Sequence, residues 1–250
     1  MWQQLIQWLR PSEESLTQRM ARVWPVDLHN HLVPGVDDGV KTLEQAMECL
    51  RQYATWGIRR VISTPHISED YHPNTHTQLL KAAEAVQQAI IDEGLPLTFT
   101  VAAEYLLDDH FIKLLRANEL LSFGANRYVL IETGWAAPPY QLEENLFTMQ
   151  SKGYVPVLAH PERYRYYHDD IDKLLALQDK GCLFQMNLLS LTEYYGQTVQ
   201  QMAQRLLKEK SIHFIGSDIH RSSDLKHLPD AFASNWYTQL LAQPLKMDTL

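Results

Sequence analysis

The segment Asp27-Leu28-His29-Asn30-His31 places two imidazoles two residues apart. Side chains alternate along an extended chain, so His29 and His31 point to one side and one ion can take both rings. That spacing alone is a weak signal, and its weight comes from residues further along the chain. Pro34-Gly35-Val36-Asp37-Asp38-Gly39 supplies a carboxylate; positive φ at Gly39 would turn Asp38, chosen over Asp37, back toward the histidines. Thr64-Pro65-His66 ends an apolar run. Pro65 cannot donate a ladder hydrogen bond, so the chain should leave its sheet there and present His66 at the rim. Glu104 and Glu132 each close a largely apolar run, where a carboxylate is costly unless paired or metal-bound. Ala159-His160-Pro161-Glu162-Arg163-Tyr164 and Gly216-Ser217-Asp218-Ile219-His220 complete the set. Arg163 suits a phosphate because a guanidinium offers two parallel donors; the competing reading is a salt bridge to Glu162 or another nearby acid.

Such residues need elements that bring them to one place. Short β-branched runs alternate with longer amphipathic ones, the pattern of βα units around a parallel sheet. Strands are expected over residues 23–28, 60–64, 97–102, 128–131, 155–159, 183–186 and 213–216. Helices are expected over 43–56, 77–93, 109–117, 141–152, 171–180, 195–210 and 229–241. Thr42 with Gln45 suits a capping box, and Gly57, Gly94, Gly153 and Gly181 fall where helices should stop. The seven units predict a distorted (β/α)7 TIM-like barrel, a single domain over residues 23–250, with chemistry at the C-terminal ends of the strands. Candidate ligands fall at six of those seven ends. Tyr71, Trp135, Tyr164, Tyr166 and Tyr167 lie in loops on the same side, where packing competes with a substrate-flanking role. His72 and His76 could reach a substrate, whereas His110, His168, His213 and His227 read as ordinary histidines.

A chain of 250 residues, 45% hydrophobic, can bury one sizeable core. Its net charge of -8 argues against a nucleic-acid partner. The two cysteines, Cys49 and Cys182, form no Cys-x-x-Cys pair and suit a reducing, cytoplasmic location. No apolar run approaches a membrane span, and the N-terminus lacks the order of a secretory signal. Residues 1–22 open with Trp2, Leu5, Ile6, Trp8 and Leu9 at helical spacing before Pro11. This amphipathic segment has one basic residue, so packing or a homo-oligomer contact is expected over membrane binding. Cysteine-based phosphatase chemistry is excluded, since Cys-x5-Arg would need arginine at Thr55 or Leu188. An amidohydrolase is disfavoured because no lysine stands at a strand end.

In order and separation, these motifs resemble the polymerase and histidinol phosphatase (PHP) superfamily, and within it the capsular-polysaccharide tyrosine phosphatase branch, from Val26 to His220. The resemblance implies a PHP fold carrying three divalent ions. One would take His29, His31, Glu104 and Asp218; a second would share Glu104 and add Glu132 and His160; a third would take Asp38, His66 and His220. Manganese is the first expectation, and this nitrogen and oxygen shell also admits iron or zinc. The ions would outweigh the four carboxylates and draw in a phosphate. The resemblance further implies attack of metal-bound hydroxide on phosphotyrosine, with Arg163 holding the phosphate. A second arginine is expected shortly after the last histidine; Arg221 is assigned that substrate contact, although it adjoins His220 directly, and Lys226 is the other candidate. The implied substrate is the phosphotyrosine-bearing tail of a bacterial tyrosine kinase that controls capsule or exopolysaccharide synthesis. Histidinol phosphate or another small phosphoester is the alternative substrate, and a non-catalytic, metal-stabilised binding module is the alternative of another class.

Overall fold

The computed structural model describes residues 24–250, and the amphipathic segment expected over residues 1–22 lies outside them. Among the described residues the strands are β1 (Val26–Asp27), β2 (Arg60–Ser63), β3 (His66–Ile67), β4 (Thr98–Val101), β5 (Glu104–Leu106), β6 (Tyr128–Glu132), β7 (Val155–Ala159), β8 (Leu183–Asn187) and β9 (Phe214–Gly216). They form two parallel sheets, ordered β1-β2-β4 and β3-β5-β6-β7-β8-β9. The sheets meet where β2 runs into β3 through Thr64-Pro65 and β4 into β5 through Ala102-Ala103. Backbone bonds from Ala102 N to Ser63 O (2.9 Å) and from Glu104 N to Pro65 O (3.1 Å) cross the break. Pro65 therefore marks the point where the chain leaves the first sheet, as expected, and His66 opens the edge strand of the second. The Pro65 carbonyl still accepts a bond, and His66 pairs opposite Glu104.

The result is a mixed α/β fold around a curled parallel sheet. Helices α1 (Leu43–Thr55), α2 (His76–Glu93), α3 (Asp109–Ala117), α4 (Leu142–Ser151), α5 (Ile171–Asp179) and α6 (Gln197–Lys208) alternate with the strands, and α7 (Ser222–Leu225), α8 (Leu228–Ala233) and α9 (Trp236–Leu241) follow β9. The last expected helix is thus split, because Ser234 is extended. The Thr42 box is only half formed. Thr42 accepts from Gln45 N, but Gln45 Oε1 turns to Lys41 N. A complete box starts α2 instead, between Thr75 and Gln78.

Strands covered on both faces read as continuous apolar runs, and Tyr128, Val129, Leu130 and Ile131 of β6 are all buried. The first and last strands are tied by a polar knot beneath that core. Asp27 accepts from Tyr53 Oη (2.7 Å), Ser217 Oγ (2.7 Å), Ser217 N (3.0 Å) and Asn30 Nδ2 (3.1 Å). Burial pushes the Asp27 carboxyl up and these donors oppose it. Beyond the knot, His31 N donates to Ile219 O (2.9 Å), so the chain leaving β1 lies against the chain leaving β9. Tyr53→Phe removes one donor from a buried acceptor and should lower stability by about 1–2 kcal/mol, read as a lower urea midpoint at unchanged slope.

Candidate metal centre

His29 and His31 extend from β1 with their Nε2 atoms 3.4 Å apart. Glu104 Oε2 lies 3.1 Å from the first and 3.5 Å from the second, and Asp218 Oδ1 lies 3.4 Å from each. Ligands at about 2.0–2.2 Å around a tetrahedral ion sit roughly 3.3–3.6 Å from one another, so these four atoms are spaced for one divalent cation. Glu104 Oε1 faces His160 Nε2 at 3.0 Å. His66 looks two ways, with Nδ1 at 3.0 Å from Glu132 Oε1 and 3.3 Å from Glu104 Oε2, and Nε2 at 3.6 Å from Asp38 Oδ1. His220 Nε2 is 3.4 Å from the same Asp38 oxygen. All nine residues expected as ligands therefore meet in one cluster, which contains several overlapping groups able to hold a metal ion.

The chemistry of the donor set fits a metal. Nδ1 of His160 is buried without a hydrogen-bond partner, a costly state for a ring nitrogen, and that of His66 faces two carboxylate oxygens at once. His160 (φ 35°) and Asp218 (φ 56°) have left-handed backbones, conformations that ordinary residues keep only where their surroundings impose them.

The rings are aimed from behind. Asp37 Oδ2 accepts from His31 Nδ1 and Gln185 Oε1 from His29 Nδ1, both at 2.7 Å, which fixes the ring orientations and directs each Nε2 toward the carboxylates. Asp37 is thus occupied beneath His31, also accepting from Gly39 N and His66 N, while Asp38 faces His66 and His220. Asn187 Nδ2 donates to Asp218 Oδ2 at 2.7 Å. Gln185 and Asn187 went unrecognised in the sequence; the signal was two buried amides on the one strand end without a ligand candidate. Gly39 does not have the positive φ expected of it. Its glycine is required by close approach: a Cβ there would lie 2.4 Å from His31 Cβ, and one at Gly216 would lie 2.5 Å from His29 Cβ.

Burial disfavours the imidazolium forms, yet Glu104 and Asp218 hold the His29 pKa above its ordinary value, Asp37 does so for His31, and Glu104 lifts His66 to about 9. Burial disfavours the Glu104 and Asp218 carboxylates too, and the histidines hold both well below the usual range.

The cluster forms one side of a cavity of about 640 Å³ whose other walls include Tyr71, His72, Trp135 and Arg163. Arg163 Nη1 donates to Asp218 Oδ2 at 2.6 Å, and the guanidinium lies 4.8 Å from the Trp135 ring and 4.5 Å from that of Tyr195. The competing salt bridge is thus present, but to Asp218; Glu162 is buried and accepts from Asn187 N and Ser190 Oγ instead. Arg221 is not among the residues lining the cavity, contrary to its assignment. Its backbone and Asp224 form the start of α7, and its side chain is 74% exposed; Lys226 is exposed as well. Tyr164 and Tyr167 are packing residues, with the Tyr164 hydroxyl accepting from Thr133 N. His72 stacks on His66, whereas His76 bonds Tyr105.

A curled parallel α/β sheet with imidazoles and carboxylates gathered at its strand ends defines a candidate metal-binding protein. The chain belongs to the family described as capsular polysaccharide synthesis, CpsB/CapC, which matches residues 25–234. It is 32% identical over 195 residues to tyrosine-protein phosphatase YwqE of Bacillus subtilis (strain 168), covering 78% of this chain and 77% of the relative. It is 26% identical to tyrosine-protein phosphatase CpsB of Streptococcus pneumoniae, covering 78% and 82%. Among solved structures it resembles a chain from a study of YwqE and CpsB, described there as unique metal-dependent tyrosine phosphatases. That match has a TM-score of 0.74 at 30% identity and covers 87% of this chain and 91% of the other.

In the metal-free protein His66 keeps a proton below pH about 9, so a divalent ion must displace it. Mn²⁺ binding should release protons and weaken as pH falls, read by calorimetry in buffers of different ionisation enthalpy. Gly216→Ala and Gln185→Ala should each weaken Mn²⁺ binding by about 10–100-fold in the same titration.

Proposed function

We propose that this chain is a metal-dependent protein-tyrosine phosphatase, hydrolysing the phosphomonoester of phosphotyrosine to tyrosine and phosphate. The observation that carries this reading is the continuity of the metal-binding cluster, Arg163 and an aromatic mouth around one cavity. Within it, His29, His31, Glu104 and Asp218 would hold one ion, Glu104, Glu132 and His160 a second, and Asp38, His66 and His220 a third. Manganese is our first choice, with iron or zinc as alternatives. Bound there, the ions would supply Lewis acidity toward the phosphate and an activated water at neutral pH.

The chain's own residues do the rest. Arg163 has one N–H committed to Asp218 and others free for phosphate oxygens. The flanking rings of Trp135 and Tyr195 hold its plane. Trp135 and Tyr71, 54% and 76% exposed, stand where a phenyl ring would enter and can exclude water from it. A tyrosine leaving group has a pKa of about 10, so departure needs less protonation than an alkyl alcohol would, and Arg163 and the ions can bear the developing charge.

We further infer that residues 23–250 form one distorted (β/α)7 barrel of PHP type. The contact of Asn30 with Ile219 supports closure of the curled sheet. Among the described residues no helix is long and apolar enough to cross a membrane. In our reading the protein acts in the cytoplasm of a bacterium on the phosphorylated tail of a tyrosine kinase that governs capsule or exopolysaccharide synthesis.

Metal-loaded protein should turn over phosphotyrosine peptides in preference to histidinol phosphate and lose that activity to a chelator; activity that survives chelation would sink the metal chemistry. Arg163→Ala should lower kcat/KM for the peptide by about 10²–10³-fold. Cys49 and Cys182 are buried, with burial pushing both thiols up to about 12, so replacing both by alanine should leave kcat intact in steady-state assays.

A further inference from the structure

Beside the metal cavity opens a second one, of about 410 Å³, lined by Trp135, Arg163, Arg165, Tyr195 and Val199. Trp135 and Arg163 line both, so the partition is only about one side chain thick. We propose, building on the phosphatase reading, that this second cavity is a subsite for an anionic side chain next to the target phosphotyrosine in a polypeptide substrate. The anion is a carboxylate or a second phosphate, which share the same recognition chemistry.

The lining itself argues for an anion. Two of its five residues are arginines, and neither is neutralised on that side. Arg163 spends one N–H on Asp218, at the metal cluster, and its remaining donors lie between two rings. Arg165 is exposed, and among the described residues its guanidinium has no carboxylate partner. A free arginine beside an aromatic wall suits a planar carboxylate or a phosphate, which it can grip with two parallel N–H groups.

Spacing adds a second constraint. Each extended residue spans about 3.3–3.6 Å, so a partition one side chain thick is crossed within one or two residues of peptide. The same guanidinium of Arg163 would then sense the reacting phosphate on one side and the neighbouring anion on the other. Arg165 touches nothing in the metal cluster. It therefore acts on which peptide is chosen, through charge at the rim, rather than on the reacting atoms.

The test compares phosphotyrosine peptides that differ only in the residue beside the target: glutamate, a second phosphotyrosine, alanine or lysine. Each kcat/KM is expressed relative to phenyl phosphate, which is too small to enter the second cavity while occupying the first. The metal-loaded protein should prefer the two anionic neighbours over lysine by about ten-fold, with the preference collapsing at high salt. Arg165→Ala should abolish the preference, Arg165→Lys should retain part of it, and Arg165→Glu should invert it toward lysine. A larger gain from phosphotyrosine than from glutamate would identify a phosphate as the occupant, and equal gains a carboxylate. An anion preference that survives unchanged in Arg165→Glu would overturn the subsite while leaving the phosphatase reading intact. Failure of the unmodified protein on phenyl phosphate and on every peptide would overturn both.

Discussion

Four carboxylates and five imidazoles crowd into one cluster at the floor of the cavity, with His29 and His31 fully buried beneath it and Glu104 fully buried between His29, His66 and His160. Unpaired charges at such a place would be very costly. Protons on the rings relieve part of that cost in the metal-free protein, but they compete for the same lone pairs that a divalent ion would use. The surrounding structure is arranged to hold these groups together against their mutual repulsion. Asp37 and Gln185 restrain the rings of His31 and His29 from behind, and Asn187 and Arg163 hold the outer oxygen of Asp218.

That arrangement reaches into the backbone. Gly39 and Gly216 lie so close to His31 and His29 that no side chain fits between them. The ladder breaks at Thr64-Pro65 and Ala102-Ala103 let the chain jog before His66 and Glu104, which then pair with each other in register. His160 and Asp218 adopt left-handed conformations that cost energy at ordinary residues. These departures from regular strand geometry coincide with members of the cluster, and the dense core beneath supplies the rigidity that keeps them there.

Arg163 connects this charge cluster to the aromatic surface. One edge of its guanidinium is bonded to Asp218 and its faces are covered by Trp135 and Tyr195, so a flexible side chain becomes a fixed donor. Because Trp135 also stacks on His160, the aromatic mouth, the arginine and the candidate metal ligands form one packed unit. On the phosphatase reading, recognition of a substrate's ring and of its phosphate would thereby be mechanically joined.

The alternation of strands and helices, and the placement of His29, His31, His66, Glu104, Glu132, His160, Asp218 and His220 at or just beyond strand ends, were legible in the sequence because hydrophobic period and local punctuation are properties of neighbouring residues. Helix 109–117 and strand 155–159 fall where the pattern puts them. What the pattern could not contain was contact across the chain. Gln185 meets His29 across 156 positions, and the local mark of Gln185 and Asn187, two amides in an otherwise apolar strand, does not say which ring or carboxylate they support. Tyr195 as a plate over Arg163 and the outward turn of Arg221 were equally hidden. The choice between Asp37 and Asp38 as the carboxylate facing His66 and His220 also belongs to the tertiary structure, since adjacent, identical residues differ only in which way a packed loop points them. Sequence thus determined which chemical groups the strand ends would offer, while only the folded chain decided which of them face one another, because orientation is set by distant neighbours.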